Sequence, residues 1–124
     1  MLRVQCYGCG ALNEHGLHIK SRWEGDDLVC RWQPQRYHIG HPGYVYGGTM
    51  ASVVDCHAIW TALATRCRDD GIDLAHGAPP FSFVTGKLSI SYVKPALIAR
   101  ALELRARVVD ASERRATVAC RVLQ

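Results

Sequence analysis

A long run of small and apolar residues in the middle of the chain limits the fold more than any other feature. The run opens at the glycine pair 47–48, and Asp55 and His57 are its strongly polar members. It ends with basic residues and then Gly71, which is typical of a helix C-terminus. The pattern predicts a helix from about Gly48 to Arg68. Because this helix is apolar nearly all round, we expect it to be buried nearly all round, within a sheet that wraps it.

Alternating apolar and polar residues on both sides of the run predict strands. Before it, two alternating stretches flank a Gly-Asp-Asp turn and indicate a hairpin. After it, three more stretches are joined by short links, which favours an antiparallel meander. The predicted fold class is therefore α+β, with an antiparallel sheet wrapped around one long central helix. The five predicted strands cover residues 17–23, 28–32, 87–92, 102–108 and 116–122.

The size and charge of the chain narrow its function class. At 124 residues we expect a single domain, 1–124. The net charge of +4 is low for a dedicated nucleic-acid binder. We expect no membrane span, because Asp55 and His57 interrupt the apolar run. Without an apolar stretch before Cys6 we expect no signal peptide, a cytoplasmic protein and six reduced cysteines.

Basic residues are concentrated late in the chain, mostly on the predicted strands. They form either a solvated sheet face or a patch for an anionic ligand such as a nucleotide phosphate. These residues are Lys87, Lys94, Arg100, Arg105, Arg107, Arg114, Arg115 and Arg121.

A Cys-x-x-Cys pair near the N-terminus has two interpretations. Cys6 and Cys9 with His15 and His18 have the residue types of a zinc site, and a zinc-stabilised interaction module is one reading. The spacing between Cys9 and His15 is short for such a site, and a redox motif would need a preceding strand and a following helix. We therefore expect residues 1–16 to form a tight turn segment, with no bound metal.

Four short motifs follow one another along the chain. They are Cys6-Tyr7-Gly8-Cys9-Gly10 with Asn13 and Gly16-Leu17, then Pro42 to Gly48, then Asp55, and finally Ser91-Tyr92-Val93-Lys94-Pro95-Ala96. In this order they resemble those of the hotdog-fold thioesterases, most closely the PaaI-like acyl-CoA thioesterase group. The resemblance implies a sheet wrapped around the helix, a homodimer or a dimer of dimers, and hydrolysis of an acyl-CoA thioester with no further cofactor. It places the carbonyl-polarising backbone N–H on Gly47 and a general base or nucleophile on Asp55.

The spacing of Gly47 and Asp55 has a geometric consequence. Eight residues of helix separate two groups by about 12 Å along its axis. A catalytic donor and base must each lie within about 3 Å of the reacting atoms. If both act on one thioester, they come from two subunits. The alternative is that Asp55 is a buried carboxylate that fixes a dimer register. His57 points about 200° away from Asp55 on a helix, so we expect it to be a hydrogen-bonded core residue.

The sequence departs from the family pattern at two places. The family commonly has His before the glycine pair, where this chain has Tyr46, so a non-hydrolytic acyl-CoA-binding protein is the alternative function. The family also has a strand after the last one predicted here, so either the fold closes with fewer strands or the sequence is truncated. We expect substrate contacts from Tyr46, Gly48, His41, Thr85 and Lys94.

Overall fold

The apolar run forms one long helix. The computed structural model describes residues 4–124, so the first three residues of the predicted turn segment lie outside it. Helix α1 spans Gly47–Asp69, one residue longer at each end than predicted. Gly71 follows it with a φ of 69°, a left-handed conformation that favours glycine and ends the helix. Within residues 4–124, α1 is accompanied by two short 3-10 turns, Arg36–His38 and Leu74–His76.

The strands form one antiparallel sheet whose order follows the chain, β1-β2-β3-β4. Strand pairing places Cys30 opposite Leu104 and Leu104 opposite Val122, so the apolar positions of neighbouring strands face the same side. α1 packs across that side and contacts β3 and β4. The strands are β1 Ser21–Glu24, β2 Asp27–Trp32, β3 Leu102–Ala111 and β4 Ala116–Leu123.

The first strand is shorter than predicted because its start is interrupted at His18. The backbone of His18 is left-handed, with a φ of 53°, and its ring Nε2 lies 2.6 Å from the carbonyl oxygen of Asn13. A β-strand cannot pass through that conformation. Leu17 and Ile19 are still buried in the core, as their alternation predicts, but the strand begins at Ser21.

The predicted strand at 87–92 is absent, and this part of the prediction was wrong. Residues 87–93 have alternating side chains but no ladder partner among the described residues. β4 pairs with β3 along one edge, and a wide groove separates its other edge from the segment 83–97. Alternation alone cannot supply the neighbouring backbone that a strand needs.

Most of α1 is buried or half-buried in the single chain, since no side chain from residue 49 to 67 is exposed, which agrees with the expectation of burial nearly all round. A stripe at helical spacing is buried against the sheet and includes Val53, His57, Thr61 and Ala64. On the opposite side, Asp55 and Ile59 are half-buried. The core that α1 shares with the sheet and its flanking loops consists of Leu17, Ile19, Cys30, Trp32, Val45, Val53, Ala96, Leu102 and Leu104.

Candidate active site

Asp55 lies in the wall of a groove of about 1590 Å³. The side chain is half-buried on α1, and its Oδ1 accepts a hydrogen bond from the hydroxyl of Thr85. Thr85 belongs to the segment that forms the opposite wall, 30 residues further along the chain. The structure thus brings together a predicted catalytic residue and a predicted substrate-binding residue.

The groove has an apolar lining on one side and basic residues around it. α1 contributes Met50, Val54 and Ile59, while the other walls come from segment 83–97 and from β4 with the turn before it. Asp55 is the one acidic residue in this lining. Within residues 4–124, none of the basic lining residues forms an ion pair with an acidic side chain. These basic residues are Lys87, Lys94, Arg100, Arg114, Arg115 and Arg121.

The remaining basic residues of the late strands lie elsewhere. Arg105 pairs with Glu103 at 2.5 Å and with Glu24 at 3.2 Å, and Arg107 pairs with Asp27 at 2.7 Å. These ion pairs cover exposed or half-exposed positions of the sheet. The two readings of the basic stretch therefore apply to different residues: Arg105 and Arg107 belong to a solvated face, and six others surround the groove.

Gly47 is the first residue of α1, where backbone N–H groups have no acceptor within the helix. The residue before it, Tyr46, is extended at φ −61° and ψ 131° and forms no side-chain cap. The helix N-terminus, with its partial positive charge, adjoins a second cavity of about 470 Å³. The lining of that cavity includes Gly47, Tyr46, His41, Tyr44 and Pro95. It is suited to hold an anionic or partly negative oxygen.

Tyr92 is a site residue to which the sequence analysis assigned no role. Its hydroxyl donates a hydrogen bond of 2.7 Å to the carbonyl oxygen of Gly47, while its ring lines the groove. The neighbouring Pro95 lines both cavities, so the two are adjacent. Tyr92 lies within the last of the four sequence motifs, but the contact becomes visible only in three dimensions, where its segment approaches the start of the helix.

The predicted site residues therefore separate into two groups. Asp55, Thr85 and Lys94 line the groove, whereas Gly47 lines the smaller cavity with Tyr46 and His41. Gly47 and Asp55 are on one helix, so this separation agrees with the spacing of about 12 Å expected from helix geometry.

Tyr46 covers the remaining predicted residue, Gly48. A Cβ built on Gly48 would lie 2.7 Å from a ring carbon of Tyr46, so only glycine leaves the ring in place there. The Tyr46 side chain is nevertheless 60% exposed. His41 stacks on Tyr44, with ring centroids 6.0 Å apart. The aromatic rings thus form one side of the smaller cavity.

His57 is a core residue, as predicted, and does not line the groove. It is fully buried, its Nδ1 lies 2.8 Å from the hydroxyl of Ser21, and its Nε2 lies 3.0 Å from the carbonyl oxygen of Leu28. Because a carbonyl can only accept, Nε2 carries the proton and Nδ1 accepts from Ser21. Burial lowers the pKa of His57 to about 4, and the ring is neutral near pH 7.

None of the helices in residues 4–124 is long and apolar enough to cross a membrane.

Comparison with known proteins places the chain among thioesterases. A crystal structure of a thioesterase superfamily protein from Shewanella loihica PV-4 matches with a TM-score of 0.70 and 30% identity, covering 90% of this chain and 84% of that one. A phenylacetic acid degradation-related protein from Ralstonia eutropha JMP134 matches with a TM-score of 0.66 at 22% identity, covering 87% of this chain and 75% of that one. Thioesterase superfamily member 2 from Mus musculus matches with a TM-score of 0.63 at 20% identity, covering 86% of this chain and 71% of that one. The last two show likeness of fold alone.

Comparison with functionally curated proteins gives no match. The family model of the thioesterase superfamily matches residues 42–124, which include α1, the groove segment and the last two strands. Together with the single long helix on a four-stranded antiparallel sheet, this match confirms the hotdog fold expected from the motifs. The chain belongs to the thioesterase superfamily.

Proposed function

We propose that the protein hydrolyses an acyl-CoA thioester, with Asp55 and Gly47 as its catalytic residues. Membership of the thioesterase superfamily supports thioester hydrolysis as the reaction class. The observation that carries the proposal is the Asp55 carboxylate, which is hydrogen-bonded by Thr85 in a groove surrounded by basic residues. A carboxylate supplies a base, and the basic residues suit a substrate that carries phosphates.

Each active site is shared between two copies of the chain. Gly47 and Asp55 line different cavities of one chain, about 12 Å apart along α1. A homodimer in which the α1 helices pack against each other in opposite directions brings Gly47 of one copy to Asp55 of the other. The half-buried side of α1 that carries Asp55 supports such a contact, because Ala58 and Ile59 are there and only partly covered in the single chain. A two-fold axis then gives two identical sites.

The reaction begins with a water molecule held by Asp55 and Thr85. Asp55 takes a proton from the water as its oxygen attacks the thioester carbonyl carbon, and the carbonyl oxygen becomes negatively charged. The N–H of Gly47 at the helix N-terminus stabilises that charge. The tetrahedral intermediate then collapses, the carbon–sulfur bond breaks, and the thiolate of coenzyme A takes up the proton that Asp55 holds, which returns Asp55 to its ionised form.

We favour the general-base route over direct attack by Asp55. The Thr85 hydroxyl donates to Oδ1 of Asp55, so its own lone pairs can accept a hydrogen bond from a water molecule beside that carboxylate, which is where Asp55 would activate it. A single turnover in ¹⁸O-labelled water distinguishes the two. The base route puts the label into the product acid. Direct attack forms a mixed anhydride, and its hydrolysis at the Asp55 carbonyl carbon leaves the label in the protein on the first turnover, so label found in Asp55 would show direct attack.

A panel of acyl-CoA thioesters tests the function directly. Free thiol is measured during turnover by the native protein and by Asp55→Asn, which keeps the size of the side chain and removes its basicity. We expect a loss of about 10²- to 10⁴-fold in kcat for Asp55→Asn. Full activity in the variant would eliminate Asp55 as the base.

The alternative function, binding of acyl-CoA without hydrolysis, rests on Tyr46. Its ring covers Gly48 at the start of α1, and it stands where the family commonly has a histidine before the glycine pair. Saturable binding of acyl-CoA with no thiol release by the native protein would support this function over hydrolysis.

A further inference from the structure

Three cysteine thiols from distant parts of the sequence meet at the N-terminal turn. The sulfur atoms of Cys6, Cys9 and Cys56 all lie within 4.8 Å of one another, and all three thiols are free. Cys9 is buried, Cys56 is half-buried and Cys6 is exposed. The cluster thus has two covered thiols and one side open to solvent.

The backbone of the turn holds this arrangement in place. Backbone hydrogen bonds join the N–H of Gly10 to the carbonyl oxygen of Cys6 at 2.8 Å and the N–H of Ile19 to that of Gly8 at 2.9 Å. A Cβ on Gly8 would overlap both Cβ and Sγ of Cys56, so only glycine allows the turn to lie this close to α1. The approach of the third thiol is therefore built into the turn.

The chemistry of the three ligands selects a soft cation. Thiolates bind Zn²⁺ and Cu⁺ far better than hard cations such as Mg²⁺ or Ca²⁺. A Zn–S bond is about 2.3 Å long, so sulfur atoms around one zinc ion are roughly 3.8 Å apart. Because no two of the sulfur atoms are more than 4.8 Å apart, contraction by at most about 1 Å would reach that geometry, and rotation of the exposed Cys6 side chain can contribute to it.

We propose that Cys6, Cys9 and Cys56 bind one thiophilic metal ion, Zn²⁺ or Cu⁺. Three thiolates satisfy Cu⁺ alone, whereas Zn²⁺ takes a fourth ligand, such as water, on the open side next to Cys6. Each thiol releases its proton to solvent as it binds the metal.

This site differs from the zinc set considered in the sequence analysis, for which we expected no metal. The ring of His18 contacts the carbonyl oxygen of Asn13 at 2.6 Å, and the ring of His15 lies 3.3 Å from a carboxylate oxygen of Glu14. Neither histidine belongs to the cluster. The third ligand, Cys56, comes from α1, 47 residues after Cys9, and a Cys-x-x-Cys motif gives no sign of it.

A bound ion would connect the N-terminal turn to the helix directly beside Asp55, because Cys56 is the next residue. Binding to the folded state alone stabilises the fold in proportion to the logarithm of ligand concentration over Kd. The metal would therefore raise Tm and fix the part of α1 that carries the catalytic carboxylate.

The test is metal titration of metal-free protein whose six thiols are kept reduced by a non-thiol reductant. Co²⁺ serves as the spectroscopic probe for the Zn²⁺ arm, since thiolate-to-cobalt charge transfer reports sulfur ligation, and competition with a Cu⁺-specific chelator measures the Cu⁺ arm. We expect one ion per chain in at least one arm and a higher Tm with that ion. No charge-transfer absorption with Co²⁺, together with no Cu⁺ taken from the chelator, would overturn the proposal.

Serine variants of the three cysteines identify the ligands. Each of Cys6→Ser, Cys9→Ser and Cys56→Ser should weaken binding by more than about tenfold, since loss of even an outer-shell partner costs about 10- to 100-fold. Cys120→Ser is the matched control, because Cys120 is also half-buried and lies on β4, outside the cluster. Circular dichroism verifies that each variant is folded. Native affinity in folded Cys56→Ser would refute the three-thiolate site.

Discussion

The hydroxyl of Tyr92 donates a hydrogen bond of 2.7 Å to the carbonyl oxygen of Gly47, which joins the groove segment to the first residue of α1. The N–H of Gly47 is the proposed oxyanion donor, and its direction depends on how the start of α1 is held. We assign Tyr92 as a positioning residue. Its hydroxyl holds the start of the helix, which carries the proposed oxyanion donor.

Removal of that hydroxyl should slow the chemical step with little effect on substrate binding. We expect Tyr92→Phe to lower kcat about fivefold, which corresponds to about 1 kcal/mol for one hydrogen bond, at nearly constant KM. Tyr37→Phe is the control, since the Tyr37 side chain is 76% exposed and lies outside both cavities. An equal decrease in the two variants would show that Tyr92 has no specific role.

A substitution at Thr85 tests the hydroxyl that contacts the proposed catalytic carboxylate, Asp55. Thr85→Val keeps the shape of the side chain and removes the donor to Asp55. A hydrogen bond to a charged group contributes about 1.5–3 kcal/mol, so we expect kcat to fall by roughly tenfold or more. Thr85→Ser retains the hydroxyl and should keep most of the activity. Unchanged kcat in Thr85→Val would show that Asp55 works without this contact.

The elements and the site differ in how far the sequence predicts them. Periodicity alone predicts α1 nearly to the residue and three of the five strands with small shifts, because those segments bury one apolar face locally. Segment 87–92 has the same alternation without a backbone partner, and His18 delays the start of β1 through a conformation that no pattern reveals. Asp55 is conspicuous in an apolar run, whereas Tyr92, Thr85 and Cys56 act through long-range contacts. Such contacts depend on tertiary packing, and no local pattern in a single sequence indicates which distant residues will meet.

A substitution at Lys94 tests whether the basic residues around the groove contact the phosphates of coenzyme A. We expect Lys94→Gln to raise KM for an acyl-CoA about fivefold, as expected from loss of about 1 kcal/mol of ionic interaction. The same acyl group on N-acetylcysteamine, which lacks the phosphates, should show no change. Lys20→Gln is the control, since Lys20 is exposed and lies outside the groove lining. A rise in KM for both substrates would assign Lys94 to a role other than phosphate binding.

His57 makes the stability of the fold depend on pH. Its pKa falls from 6.5 to about 4 on burial, so between these values the unfolded chain binds a proton that the folded chain does not. Stability is therefore complete above about pH 6.5 and should decrease by roughly 3 kcal/mol as the pH falls to 4. Urea unfolding measured from pH 7 to pH 4.5 reports this change. The series stops at pH 4.5 because Glu24 adds its own pH dependence below that value. Its pKa is lowered from 4.5 to about 2 in the folded state by the hydrogen bond from Arg31.

A glutamine at position 57 supplies the control for this pH dependence. The amide of His57→Gln can donate to the carbonyl of Leu28 and accept from Ser21, but it does not titrate. The folded variant should lose most of the dependence between pH 7 and 4.5. An unchanged slope would mean that other groups cause it.

Gly47 offers a direct test of the backbone donor, because proline is compatible with the first position of a helix and has no N–H. The extended Tyr46 before it is the conformation that precedes proline, so Gly47→Pro should fold. We expect kcat to fall about 10²- to 10³-fold, as for loss of one oxyanion donor. Gly47→Ala keeps the N–H, and its Cβ would meet Tyr92 at an ordinary 3.5 Å, so it should remain active.

Mixing the two inactive variants then tests whether the site is shared. In a dimer of one Gly47→Pro chain and one Asp55→Asn chain, one composite site has both native residues and the other has neither. Random exchange of subunits in equal amounts makes half of the dimers mixed, so about a quarter of native activity should return. If donor and base acted within one chain, every site would retain one defect and the mixture would stay inactive. Steady-state thiol release after co-refolding measures this outcome, and each variant refolded alone gives the baseline.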